Sequence, residues 1–148
     1  MPNLFAALKS NRIRVLVADD HAAWVEALVA MLELDERLEV IGRAFDGAEA
    51  LELARRLRPD VVLMDLEMPR LNGIEATRAL RSNGGAPRVL MVTSSPAPED
   101  VLAARDAGAI GYVLKGCTGD DLADLIVDAA NRASQAGLRE YKLATSAA

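Results

Sequence analysis

Five times along the chain, a short run of consecutive aliphatic residues gives way to a longer segment with helical spacing. The short runs are Ile13–Ala18, Leu38–Ala44, Asp60–Met64, Pro87–Val92 and Ala109–Leu114. Most are apolar at successive positions rather than alternating, the pattern of strands buried on both faces of a parallel sheet. The helical segments are His21–Leu34, Gly47–Leu57, Asn72–Arg81, Pro98–Ala107 and Thr118–Ala133. They space apolar residues three and four apart: Leu28, Met31 and Leu32 in the first, Ala50, Leu51, Ala54 and Leu57 in the second, Ile74, Thr77 and Leu80 in the third. Their ends carry chemical markers. Pro59 stops the second, and Pro98 with Glu99 and Asp100 opens the fourth, which closes at Gly108. Thr118 is the expected N-cap of the fifth, with Asp120 and Asp121 near the positive end of its dipole. Such alternation predicts an α/β protein with a parallel sheet covered by helices on both faces.

Length and composition narrow what that sheet can do. A chain of 148 residues suits one domain, and 51% hydrophobic residues with only 3% aromatic predict an aliphatic core. A net charge of −5 leaves no cationic excess for neutralising phosphates, so direct nucleic-acid binding by this chain is not expected. Cys117 is the single cysteine and cannot form an internal disulfide. No apolar run approaches the roughly 18 residues of a membrane span, and Met1–Arg12 lacks the apolar centre of a signal peptide. The expectation is a soluble cytoplasmic protein. Residues 1–12 read as an N-terminal extension and 135–148 as a C-terminal tail or linker stub.

Open parallel sheets bind ligands beyond the carboxyl ends of their strands. The first strand ends in Asp19-Asp20, the third in Asp65, the fourth in Thr93-Ser94 and the fifth in Lys115. The second ends without a comparable group. Three carboxylates, a hydroxyl and an ammonium therefore converge on one edge. Two carboxylates about 4 Å apart repel by about 4 kcal/mol at an effective dielectric near 20, so such a cluster calls for a shared proton or a bound cation. An all-oxygen site that keeps waters suits magnesium. With Mg²⁺ and Lys115 present, the pocket would tolerate an incoming phosphoryl group.

At these residues the chain resembles the receiver domains of two-component response regulators. The resemblance rests on Asp19-Asp20, on Met64-Asp65-Leu66-Glu67-Met68-Pro69 with Asn72-Gly73, on Thr93-Ser94, and on the run Gly108–Lys115. The wording of Val15–His21 and Gly111–Lys115 is most similar to the subfamily with a C-terminal helix-turn-helix, the nitrate-response and nodulation-regulator type. The resemblance implies a receiver unit over 13–134 with a flavodoxin-like (βα)5 doubly wound parallel sheet in strand order 2-1-3-4-5. It implies Asp65 as phosphoacceptor, Lys115 and Thr93 as its phosphoryl-binding partners, and Mg²⁺ held by Asp20, Asp65 and the Glu67 carbonyl, with Asp19 acting through water. It implies a sensor histidine kinase as partner and a switch in which Tyr112 changes rotamer as Thr93 moves. The protein would be a signalling phosphoacceptor rather than an enzyme with a separate substrate. Two departures stand out: Gly116 occupies a place where many receivers have proline, and Ala22-Ala23-Trp24 replaces a Pro-Leu-Val-like stretch.

Other readings stay open at this level. Taken singly, Asp65 could cap a strand end, Asp19 and Asp20 could cap the first helix, Thr93 could begin a turn, Lys115 could be solvated and Tyr112 could be packing. His21 reads as a helix residue rather than a site. The chain could be the receiver part of a transcription regulator whose helix-turn-helix lies elsewhere. A flavin carrier would need a Ser/Thr/Gly phosphate cradle where Asp19-Asp20-His21 stands. An aspartyl-phosphate hydrolase of the haloacid-dehalogenase kind would want an aspartate where His21 follows Asp19. Independently of any family, Val25, Val29 and Val127 suggest an outward apolar patch on the first and fifth helices that could pair two copies. The alternative is that these helices are buried more widely.

Overall fold

Runs as apolar as Val61–Met64 can be satisfied only where side chains on both faces meet other apolar groups, and the chain supplies those groups from helices on each side. A computed structural model describes residues 11–81, 87–94 and 97–132. The elements are β1 (Ile13–Ala18), α1 (Ala22–Glu33), β2 (Leu38–Ala44), α2 (Gly47–Leu57), β3 (Val61–Met64), α3 (Gly73–Arg81), β4 (Arg88–Thr93), α4 (Pro98–Ala107), β5 (Gly111–Leu114) and α5 (Gly119–Asn131). All strand pairs are parallel, and the order is β2-β1-β3-β4-β5, as the family resemblance implies. Strand β2 lies at an edge and is the least buried of the five, in keeping with its mixed composition. The expected extension, save for its last residues, and the expected tail lie outside the described residues.

Successive strand residues point to opposite faces and build two cores. Val15, Val17, Leu63, Leu90 and Val113 meet α1 and α5 through Leu28, Leu32, Leu122 and Ile126. Leu16, Val62, Met64, Met91 and Tyr112 meet α2, α3 and α4 through Ala54, Ala76, Leu80 and Ala104. The α2 N-terminus is capped by Asp46, which accepts from the Glu49 N–H at 2.8 Å. At α3, Asn72 accepts from the Glu75 N–H at 2.8 Å while the Glu75 carboxylate accepts from the Asn72 N–H at 3.2 Å, a reciprocal cap. Thr118 accepts from the Asp121 N–H at 3.1 Å, as its position predicts. Thr118→Ala should lower stability by about 1 kcal/mol, read as a fall in the urea midpoint with an unchanged slope.

One expectation needs correction. Val25 and Val29 are fully buried at 0% and 2% exposure, whereas Met31 is 46% exposed. The buried stripe of α1 is Val25, Leu28, Val29 and Leu32, with the spacing i, i+3, i+4, i+7. Taking Met31 as core rotated the helix and turned the two valines outward. They face the α1–α5 core instead, so they cannot form the outer patch expected for pairing two copies; Val127 is only partly buried against the same core. The wider-burial alternative is the one that the packing bears out. Neither acid of the Asp19-Asp20 pair caps α1: its N-cap is His21, without a side-chain cap bond.

Candidate functional site

The backbone ladder continues past the strand ends and fixes the residues there. The Asp19 N–H donates to the Ala44 carbonyl at 2.9 Å, the Asp65 N–H to Ala18 at 2.9 Å, and the Lys115 N–H to Thr93 at 2.8 Å. The acids after β1 and β3 and the lysine after β5 are thus held by the sheet rather than carried on free loops. Their side chains meet. Lys115 Nζ lies 2.6 Å from Asp19 Oδ2 and 3.6 Å from Asp65 Oδ2. Thr93, buried at the end of β4, alternates onto the same face as Met91 and Tyr112.

An open pocket of about 520 Å³ lies over this edge, lined by Asp20, His21, Asp65, Glu67, Met68, Pro69, Asn72, Thr93, Ser94 and Lys115. Asp19, fully buried, stands behind the lining. Its Oδ1 accepts from the His21 N–H at 2.8 Å. Its Oδ2 is paired with the Lys115 ammonium at 2.6 Å. Asp65 is 5% exposed and carries the clearest electrostatic signature in the pocket. Burial first, and then the Asp19 charge, push its carboxyl from 3.8 up to about 6, against the opposing pull of Lys115.

The cluster contains a residue that sequence reasoning set aside. His21 Nδ1 lies 3.2 Å from Asp19 Oδ1 and 3.3 Å from Asp20 Oδ1. One ligand atom from each of Asp19, Asp20, His21 and Asp65 falls within 4.8 Å of the others. Such a set, three carboxylates gathered around one point, fits a divalent cation. Glu67 lines the pocket but stands outside this cluster, and Tyr112 is buried on β5 away from the lining. Trp24 enters the sequence reading only as part of a departure from the family pattern. Its ring lies beneath the Lys115 ammonium, 4.6 Å from centroid to Nζ. Nothing local in the sequence signals that contact, which joins the start of α1 to the loop after β5.

The family model described as the response regulator receiver domain matches residues 15–127. The nitrate/nitrite response regulator protein NarP of Escherichia coli is 41% identical over 107 residues, covering 72% of this chain and 50% of NarP. The transcriptional regulatory protein LiaR of Bacillus subtilis is 42% identical over 114 residues, covering 77% of this chain and 54% of LiaR. The chain therefore spans about half the length of these curated relatives. Among solved structures, the signal receiver domain of NarL from Mycobacterium tuberculosis superimposes with a TM-score of 0.80 at 37% identity, covering 82% of this chain and 99% of that one.

Proposed function

The chain belongs to the response regulator receiver domain family, and from that premise we propose that Asp65 is its phosphoacceptor. Membership implies a cognate sensor histidine kinase as partner. The single observation that carries the assignment is the convergence of Asp19, Asp20, Asp65 and Lys115 at one sheet edge, with Asp65 in the pocket wall and Lys115 within 3.6 Å of it. In the transfer, an Asp65 carboxylate oxygen forms a bond to phosphorus as the phosphorus–nitrogen bond of a phosphohistidine breaks. The imidazole leaves with the electron pair and takes up a proton. Lys115 faces the arriving oxygens as a fixed charge, and Thr93 offers a hydroxyl to one of them.

Asp20, Asp65 and the Glu67 carbonyl would hold Mg²⁺, with Asp19 acting through water. The bound ion would supply positive charge that offsets the crowding of the acids and of the phosphoryl oxygens. The phosphoryl group adds about −1.5 to −2 charges beside Thr93, and we assign the readout to a change of Thr93 and Tyr112 on the β4–β5 side. The receiver unit is taken as residues 13–134, within which the family match lies.

The printed names of the relatives, a nitrate/nitrite response regulator and a transcriptional regulatory protein, favour a second level of assignment. This receiver is the switch of a DNA-binding transcription regulator, its effector being a separate helix-turn-helix domain. The chain's matching of about half of each relative supports that division of labour.

Incubation with phosphoramidate and Mg²⁺, followed by intact-mass measurement, tests the phosphoacceptor. Wild type should gain one labile phosphoryl unit, and Asp65→Asn none. Uptake by Asp65→Asn, or none by wild type, would overturn it.

A further inference from the structure

The ammonium of Lys115 has one face that the phosphoacceptor scheme leaves unexplained. On one side stand Asp19 Oδ2 at 2.6 Å and Asp65 Oδ2 at 3.6 Å; on another stands the Trp24 ring at 4.6 Å. The lysine side chain is only 17% exposed, so little of it is left to solvent. Trp24 is itself partly buried, packed against the α1–α5 core from the first turn of α1.

An ammonium on a four-carbon stem has many rotamers, and the nearest charge to this one is the fully buried Asp19 rather than the acceptor. A π face within about 6 Å attracts a cation and removes water from that side. It also narrows the stem's freedom without neutralising the charge, as a third carboxylate would. We propose that Trp24 is a positioning residue for Lys115, its indole face keeping the ammonium beside Asp65, where it meets the incoming phosphoryl group. The inference rests on the phosphoacceptor reading for its rate effect but not for the contact itself.

Two measurements separate these. The chain has one tryptophan, so its emission reports Trp24 alone. In metal-free protein, with no phosphodonor, Lys115→Met should change the intensity or wavelength of that emission. Unchanged emission would overturn the contact.

The second measurement is the rate of phosphoryl uptake from phosphoramidate at saturating Mg²⁺. Trp24→Leu should be about three- to tenfold slower than wild type and Trp24→Phe within about twofold, because phenylalanine keeps a π face and leucine does not. In a Lys115→Met background, Trp24→Leu should bring no further loss. Equal slowing by leucine and phenylalanine, or the same loss without Lys115, would reduce Trp24 to packing and overturn the proposal. Should Trp24→Leu fail to fold, the phenylalanine variant and the emission change still decide it. Absence of uptake by wild type would instead sink the phosphoacceptor reading, leaving the emission result to judge the contact.

Discussion

Gly73→Ala should destabilise the protein by about 3 kcal/mol or more and slow phosphoryl uptake with it, although alanine is the better helix former. A methyl group at residue 73 would stand 2.0 Å from the Asp65 carbonyl oxygen, 2.9 Å from its carbonyl carbon and 3.1 Å from Leu66 Cα. All three are backbone atoms, so no side-chain rotation relieves the clash. Either α3 moves away from the sheet edge or the segment carrying Asp65 moves. The first breaks the Gly73 N–H bond to the Leu66 carbonyl at 2.8 Å and shifts Thr77 and Leu80, both buried. The second disturbs the bond from the Asp65 N–H to the Ala18 carbonyl that holds Asp65 at the sheet edge. Gly119→Ala at the start of α5 is the control, since there the new methyl meets only Met31, its Cβ and Sδ both at 3.3 Å, and a shift of a few tenths of an ångström relieves the contact. Urea midpoints for the three proteins decide the matter. An unshifted midpoint for Gly73→Ala would mean that α3 and the segment carrying Asp65 are not as tightly coupled as their contact indicates.

That coupling was invisible in the sequence, whereas the proposed acceptor was not. Asp65 is legible because Val61–Met64 is apolar at every position, which marks an interior strand, and polar residues just beyond interior strands of a parallel sheet face the ligand edge. The same reasoning finds Asp19, Asp20, Thr93 and Lys115. Strand order is another matter: alternation says only that the sheet is parallel, and 2-1-3-4-5 came from the family resemblance. Helix phase failed at α1 because Ala22–Glu33 is apolar around much of its circumference, so Leu28, Met31 and Leu32 made as plausible a stripe as Val25, Leu28, Val29 and Leu32. Only the sheet strands and α5 packed against it select between them. The contacts of Trp24 and His21 were hidden for other reasons. The Trp24 contact depends on how the start of α1 and the loop after β5 approach each other, which no local spacing encodes. The His21 ring reaches Asp19 and Asp20 within its own loop, where the loop's conformation rather than the residue spacing turns it toward them.

Asp65→Asn should make the metal-free protein more stable than wild type at pH 7.5, by about 1–2 kcal/mol, while removing its capacity to take up phosphate. The sign follows from the raised carboxyl. In the unfolded chain it titrates near 3.8; in the folded chain burial and then Asp19 push it up to about 6. Folding therefore favours the protonated form. Below about pH 3.8 the group is neutral in both states and costs nothing. As the pH rises through 6 the folded state comes to hold a buried carboxylate, and the cost is complete above that value. The full shift would correspond to about 3 kcal/mol, reduced here because the pocket opens to solvent on one side. An amide of the same shape carries no such charge, so the advantage of Asp65→Asn should shrink between pH 7.5 and pH 4.5. Magnesium should act in the opposite direction, raising wild-type stability by about 2.7 kcal/mol at one hundred times its dissociation constant and the variant by less. Urea unfolding of both proteins at the two pH values, in chelator and in Mg²⁺, gives all four comparisons. A wild type at least as stable as Asp65→Asn in chelator at pH 7.5 would mean that Lys115 already neutralises the acids, and that the pocket needs no cation to relieve them.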